Sequence, residues 1–308
     1  MKHVVRFTEL AAVTLLGMAV TAQAQLLVND FWRDGTRTDP GVPPYSEFGV
    51  DADADGDLES VWIAANRATN FVTAVGSLTF IPETGTSRAG LTYFAPSGSP
   101  VTLADGQALV VTLTFIPTGL SASNAATTTR FAVADYTGGT RLTADGTSSM
   151  MNGANVKAYG LFLNIANTFG TTPLSLRERT NLSSTELLGT ATDWTTLSSG
   201  GGVAGDPGFV NGTPYTMKFT LARNSGQLDF SVSVVGGSLN ISHSVTDPTP
   251  STFTFDAFAL RSTTAADTPT MQFRNFRVEV IPEPASIGLL GLGGLAVLLG
   301  RRRALARH

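Results

Sequence analysis

Between Tyr215 and Val234, apolar residues fall at every second position on either side of a short polar turn. Tyr215, Met217, Phe219 and Leu221 lead up to Arg223-Asn224-Ser225-Gly226, and Leu228, Phe230, Val232 and Val234 lead away from it. A period of two puts all of these side chains on one face of an extended ribbon, so the segment is a β-hairpin with one buried face. Its register is fixed, because a slip by one residue would turn every one of them to solvent. A hairpin cannot cover that face by itself, so the remaining chain must supply a facing layer.

The same signal recurs along the chain. Short runs rich in apolar and β-branched residues occupy 26–31, 58–64, 74–80, 90–94, 108–116, 129–135 and 158–165. Further runs lie at 174–177, 187–189, 252–260 and 271–280, with Gly, Pro, Asn and Asp clusters between them. Alternation in the last run breaks at Asn275, as at a β-bulge. The glycine-rich 198–208 stretch is expected to be a flexible loop. After residue 25 there is no long amphipathic helical pattern. About 12 to 14 strands are too many for one open sheet, so two packed antiparallel sheets are expected.

The two ends carry different patterns. Lys2 and Arg6 precede an apolar run from Leu10 to Val20, and Ala22-Gln23-Ala24 then offers small residues where a signal peptidase reads. This is the layout of a secretory signal helix over residues 1–24, cut between Ala24 and Gln25. At the other end, Ile281-Pro282-Glu283-Pro284-Ala285-Ser286 leads into an apolar run, Ile287 to Gly300, and then Arg301-Arg302-Arg303. Prolines at alternate positions fit neither a helix interior nor a central strand, so the folded body should end by Ile281. A short apolar helix followed by cations is the layout of a membrane segment whose basic end stays cytoplasmic. At about 1.5 Å per residue it would span roughly 21 Å, short of a ~30 Å hydrocarbon core, which suits a temporary anchor.

In that order, the Pro282-Glu283-Pro284 triplet, the apolar stretch and Arg301, Arg302 and Arg303 resemble the PEP-CTERM sorting tail of Gram-negative bacteria. The resemblance covers only residues 282–308 and implies an exosortase-type membrane protease as partner, acting near the triplet. It further implies transient anchoring in the inner membrane and delivery of the body to the cell surface or extracellular matrix. An ordinary C-terminal membrane anchor is the other reading of the same residues.

The body, residues 25–281, has the length of one large all-β domain. Its 215–235 hairpin, the 253–260 segment and the closing 273–280 run resemble the C-terminal half of concanavalin A-like (laminin G-like) jelly-roll sandwiches. That resemblance implies a two-sheet antiparallel jelly-roll sandwich, an architecture that carries carbohydrate or other ligands without fixing a function. Without the ends, the body keeps 14 of 20 cations and 22 of 24 acids, a net charge of about −8. Such a surface repels phosphate backbones, and nucleic acid is not an expected partner. With no cysteine in the chain, neither disulfides nor thiolate chemistry is available.

The sharpest chemical motif is Asp51-Ala52-Asp53-Ala54-Asp55-Gly56-Asp57-Leu58-Glu59. Carboxylates at alternate positions, with a glycine after the third, match the first half of an EF-hand-type calcium loop. Asp51, Asp53 and Asp55 would offer side-chain oxygens, Asp57 its carbonyl, and Glu59 a carboxylate directly or through water. Trp62 stands where the loop's final bidentate acid belongs, so a calcium site would need ligands from elsewhere in the fold. The other reading is an acidic solvated loop. Catalytic signals are sparse. His243 is the one histidine outside the ends, and no Gly-x-Ser-x-Gly elbow occurs. Glu178, Glu186 and Asp193 do not form the alternating acid cluster of concanavalin A-like glycosidases. Trp194, in a polar stretch, is the ring expected to stand exposed for ligand stacking, while Trp32 and Trp62 are expected in the core.

These readings converge on a secreted, surface-sorted, non-enzymatic sandwich of the cell envelope or biofilm matrix. Its expected role is structural or adhesive, with weak binding to extracellular polysaccharide and calcium as the one suggested cofactor. A divergent concanavalin A-like glycoside hydrolase is the alternative from another class.

Overall fold

The computed structural model describes residues 23–282, apart from 42, 44, 84–86, 125–126, 128, 147–150 and 264–267. Residues 1–22 of the expected signal helix, and the tail from Glu283 onward with its expected apolar helix, lie outside the described residues. The body is built almost wholly from strands. In order they are β1 (Gln25–Asp30), β2 (Trp62–Ala64), β3 (Phe71–Ala74), β4 (Ser77–Phe80) and β5 (Ala89–Tyr93). Then come β6 (Val101–Thr102), β7 (Gln107–Thr118), β8 (Ser123–Asn124), β9 (Thr129–Asp135) and β10 (Lys157–Leu163). β11 (Thr168–Phe169), β12 (Leu174–Arg179), β13 (Trp194–Gly200), β14 (Tyr215–Asn224) and β15 (Gln227–Gly236) follow. The last four are β16 (Leu239–Asp247), β17 (Thr254–Phe255), β18 (Ala257–Ser262) and β19 (Thr270–Pro282).

Two antiparallel sheets make a jelly-roll sandwich. One runs β16-β15-β14-β7-β19-β4-β3, with β1 also paired to β19, and the other runs β13-β12-β10-β9-β18-β5-β2. The hairpin read from the alternation is β14–β15, in register from Thr216↔Val235 to Asn224↔Gln227. Ser225 and Gly226 close it, both at positive φ (52° and 79°), the geometry of a two-residue type I′ loop whose twist suits the strands. All of its alternate apolar residues are buried. They meet Phe131, Val133, Tyr159, Leu161, Phe258 and Leu260 of the facing sheet in one continuous core.

The second sheet is buried on its far face as well. Leu91, Tyr93, Ala132, Ala134, Ala158, Ala257 and Ala259 point there and pack with Met151, Leu187, Leu188 and Trp194. Alanines dominate this face because a layer of connecting chain, with no strand spacing of its own, lies close above it.

Several element readings need correction. Residues 74–80 are not one strand: Val75 and Gly76 turn the chain between β3 and β4, with Gly76 at φ 80°. Leu187 and Leu188 form no strand but belong to the buried connecting layer. The 252–260 run is split into β17 and the start of β18, and the front of the expected 198–208 loop is the end of β13. The bulge is where the broken alternation put it, between Phe273 and Asn275. The ladder continues one residue past Ile281, with Pro282 opposite Gln107. A proline is tolerated at that last rung because only one donor is forfeited.

Candidate metal centre

The acidic motif lies in the long connection between β1 and β2, and its acids first organise the loop itself. Asp51 accepts from the Ala54 and Gly56 amides (2.7 and 3.1 Å), Asp53 from Asp55 (3.2 Å) and Asp55 from Asp57 (3.0 Å). These are side-chain-to-backbone turns of the kind aspartate favours. Gly56 sits at φ 94°, a conformation that favours glycine over residues with a side chain. Glu47 closes the neck of the loop by accepting from the Ala52 and Glu59 amides (2.6 and 2.9 Å). At the exit of β1, Asp57 Oδ2 accepts from the Phe31 amide (2.9 Å) and Asp30 Oδ1 from the Trp32 amide (2.7 Å).

With the amides satisfied, the carboxylates gather into three triads, each with one ligand oxygen per residue within 4.8 Å of the others. They are Asp30, Asp57 and Glu59; Asp39, Asp53 and Glu59; and Glu47, Asp51 and Asp53. Glu59 joins the first two and Asp53 the last two. The first triad is buried, its residues 2%, 2% and 3% exposed. Inside it, Asp57 Oδ1 and Glu59 Oε2 have no hydrogen-bond partner. Nearby cations are engaged elsewhere. Arg33 reaches the Asp55 carbonyl (3.4 Å), and Arg37 pairs with Asp145 (2.6 Å).

Burial and mutual repulsion show in the proton affinities. Burial pushes the Asp30 carboxyl well above the usual range, and the charge of Asp57 adds to this. Burial, with the charges of Asp34, Asp30, Asp39 and Asp55, pushes Glu59 up to about 9. Asp39 is raised by burial and by Asp53, and Asp55 chiefly by a hydrogen bond with Asp57. A buried carboxylate without a partner costs several kcal/mol on the order of an unmade ion pair. A hard divalent cation supplies the missing charge and takes oxygen ligands. The orphaned oxygens of Asp57 and Glu59 fit such an ion.

The five acids of the motif therefore do not converge on one point. Asp51, Asp53, Asp57 and Glu59 are divided among the triads and Asp55 belongs to none. Asp57 offers its side chain where the EF-hand spacing assigns a carbonyl. Asp30, Asp39 and Glu47 complete the triads from outside the motif. Their one sequence signal is weak: Asp30 is a carboxylate closing an apolar strand. Trp62, at the loop's twelfth position, is core, stacked on Phe273 (5.9 Å) with Phe276 at its edge (5.1 Å).

Trp194 is not an exposed ring. It is 4% exposed and lies over Gly160, where a Cβ would come within 2.7 Å of the indole. Phe162 packs at its edge (5.6 Å), and its N–H donates to the Leu187 carbonyl (3.1 Å). Its face is closed to any ligand. His243 Nε2 meets Ser198 Oγ (2.8 Å), joining β16 to β13 across the sandwich edge. Glu178 accepts from Tyr159 Oη (3.3 Å) and the Ser251 amide (2.9 Å), and Glu186 pairs with Arg261 (3.2 Å). Both acids hold connecting chain in place.

Residues 280–303 match the model of the PEP-CTERM protein-sorting motif, which implies export and exosortase-type sorting to the cell envelope. Of that motif, Glu283, Pro284 and Arg301, Arg302 and Arg303 lie outside the described residues. No curated protein matches the chain. Solved structures similar to it include lectin II from Ulex europaeus (11% identity, 72% of this chain and 92% of that one, TM-score 0.40). Lectin I-B4 from Griffonia simplicifolia in its metal-free form is another (14%, 71% and 92%, TM-score 0.38). The exoplasmic/lumenal domain of VIP36 in its Ca2+/Man-bound form is a third (13%, 77% and 87%, TM-score 0.41). At these identities the likeness concerns the fold alone.

Proposed function

We propose that the protein is an exported β-sandwich that an exosortase-type protease sorts to the cell surface or extracellular matrix. There it serves a structural or adhesive role, holds weakly to extracellular polysaccharide, and is not an enzyme. Calcium, held by the acidic triads, is its cofactor. The observation that carries this reading is the match of residues 280–303 to the sorting motif at the end of β19. Pro282, the first residue of the sorting triplet, pairs with Gln107 at the end of β19, so cleavage after the triplet would leave every described strand in the body.

The surface also has a suitable place for a sugar polymer. The face that β14, β15 and β16 turn outward carries an open hollow of about 490 Å³ lined by Lys218, Thr220, Ser231, Ser233, Ser242 and Ser244 among others. Lys218, Ser233 and Ser242 form one cross-strand row, and Thr220, Ser231 and Ser244 the next. Such rows offer donors and acceptors about 4.8 Å apart. Without an aromatic stacking platform in this lining, the grip on each sugar is weak. The test is to pass the chain over immobilised polysaccharides, with and without calcium, while assaying for reducing ends. Retention without release is expected, weakened when Ser233→Glu and Ser242→Glu are introduced. Release of reducing ends that disappears in Glu178→Gln or Glu186→Gln would overturn the non-enzymatic reading.

A further inference from the structure

Asp30 stands apart from the acidic motif in sequence and reaches it only through the fold, as the last residue of β1. β1 is held on both sides. On one side it pairs with β19, from Gln25↔Val280 to Asp30↔Phe276. On the other, the Gly49 amide donates to the Leu27 carbonyl (2.9 Å), and Asn29 and Leu58 exchange two hydrogen bonds (2.8 and 3.3 Å). β19 pairs along one edge with β7, and along the other first with β4, at Met271, Gln272 and Phe273. Among the described residues, β1 is the only strand on the rest of that second edge. This edge runs up to the sorting triplet, and Gln25, which the expected signal cleavage leaves first in the chain, stands opposite Val280.

We propose that a hard divalent cation bound by Asp30, Asp57 and Glu59 is the latch that seats β1 on β19. Its binding closes the sheet edge beside the sorting triplet. This rests on the metal reading above and adds the element that the metal controls. The inner triad is the right place for it. Asp57 Oδ1 and Glu59 Oε2 are buried without partners, so this triad has unfilled oxygens and no water-exposed alternative. The other oxygen of Asp57 already holds the Phe31 amide, which fastens the turn after β1 to the side chain that faces the ion. Lacking a cation, the buried oxygens of Asp57 and Glu59 stay without partners, and that cost acts on the end of a six-residue strand. Short edge strands are among the first elements to open locally, so the cost of an empty site falls on β1 before it reaches the core.

Hydrogen exchange read by mass spectrometry on the exported full chain, in calcium and in chelator, tests this, with calcium heat measured on the same preparation. Calcium is expected to slow exchange about tenfold or more in residues 26–30 and 276–280 and to leave the 215–235 hairpin unchanged. Asp30→Asn should lose the effect, and Asp51→Asn, which touches only the outer triad, should keep it. Calcium heat with no change in β1 exchange overturns the latch while the metal reading stands. So does an Asp30→Asn chain that keeps the full calcium effect. Absence of calcium heat overturns both. If the hairpin is itself unprotected in Asp30→Asn, that variant has not folded, and the wild-type comparison decides alone.

Discussion

Glu59 is the residue at which burial and charge conflict most sharply, since it belongs to two triads and has an oxygen with no partner. Replacing it with glutamine keeps the shape and removes the ability to ionise, so the size of the effect depends on calcium. In chelator at pH 7, Glu59→Gln is expected to melt close to the wild type, because a carboxyl pushed up to about 9 is already protonated there and glutamine matches it in shape and charge. With calcium a hundredfold above its Kd, the wild type gains about 2.7 kcal/mol from binding. The variant forgoes most of this and should melt roughly 5–10 °C lower. Thermal scans in the two conditions check the difference. Asp145 gives a pH dependence with a definite sign. Burial pushes its carboxyl up, but hydrogen bonds from Arg37 (2.6 Å) and the Ala64 amide (2.9 Å) outweigh burial and hold it below the usual range. Its contribution is thus complete above the ordinary carboxylate range and is lost as pH falls through the depressed value. Asp145→Asn should destabilise the protein at pH 7 and converge with the wild type in acid, as denaturant midpoints across that range would report.

At the scale of elements, what a sequence shows depends on whether the information is local. The β14–β15 hairpin was legible because both faces are declared within one run and the Ser225-Gly226 turn supplies its own geometry. The bulge beside Asn275 was legible for the same reason. β3 and β4 were misread as one strand, because the apolar run continues through the Val75-Gly76 turn. β16 is absent from the runs read in the sequence, because its outer residues are polar and only alternate positions such as Leu239 and Ile241 are buried. Trp194 was misjudged because its neighbours Asp193 and Thr195 are polar. What buries it is Gly160, distant in sequence, whose missing side chain makes room for the indole. The metal centre divides in the same way. The motif acids announced themselves by spacing, whereas Asp30, Asp39 and Glu47 join them through contacts that only the folded β1 and loop neck create.

For the molecule as a whole, the arrangement of β19 decides how the body and the tail depend on each other. Phe276 and Val278 lie in the core between the sheets, and the same residues carry the ladders to β1 and β7. Among the described residues, the last ladder pair is Pro282 with Gln107. A chain ending at Pro282 should therefore match the full chain in melting temperature and in calcium dependence. A chain ending at Arg274 loses three core side chains, Phe276, Val278 and Val280, at a cost of about 2 kcal/mol or more each, and leaves β1 without its partner. That exceeds a large part of the ~5–15 kcal/mol by which domains are usually stable, so it should not fold. Melting curves of the two truncations, beside the intact chain, separate a body that is complete before the sorting triplet from one that needs its tail. Loss of stability on ending the chain at Pro282 would mean that the tail is part of the fold, and the delivery of a finished sandwich would have to be given up.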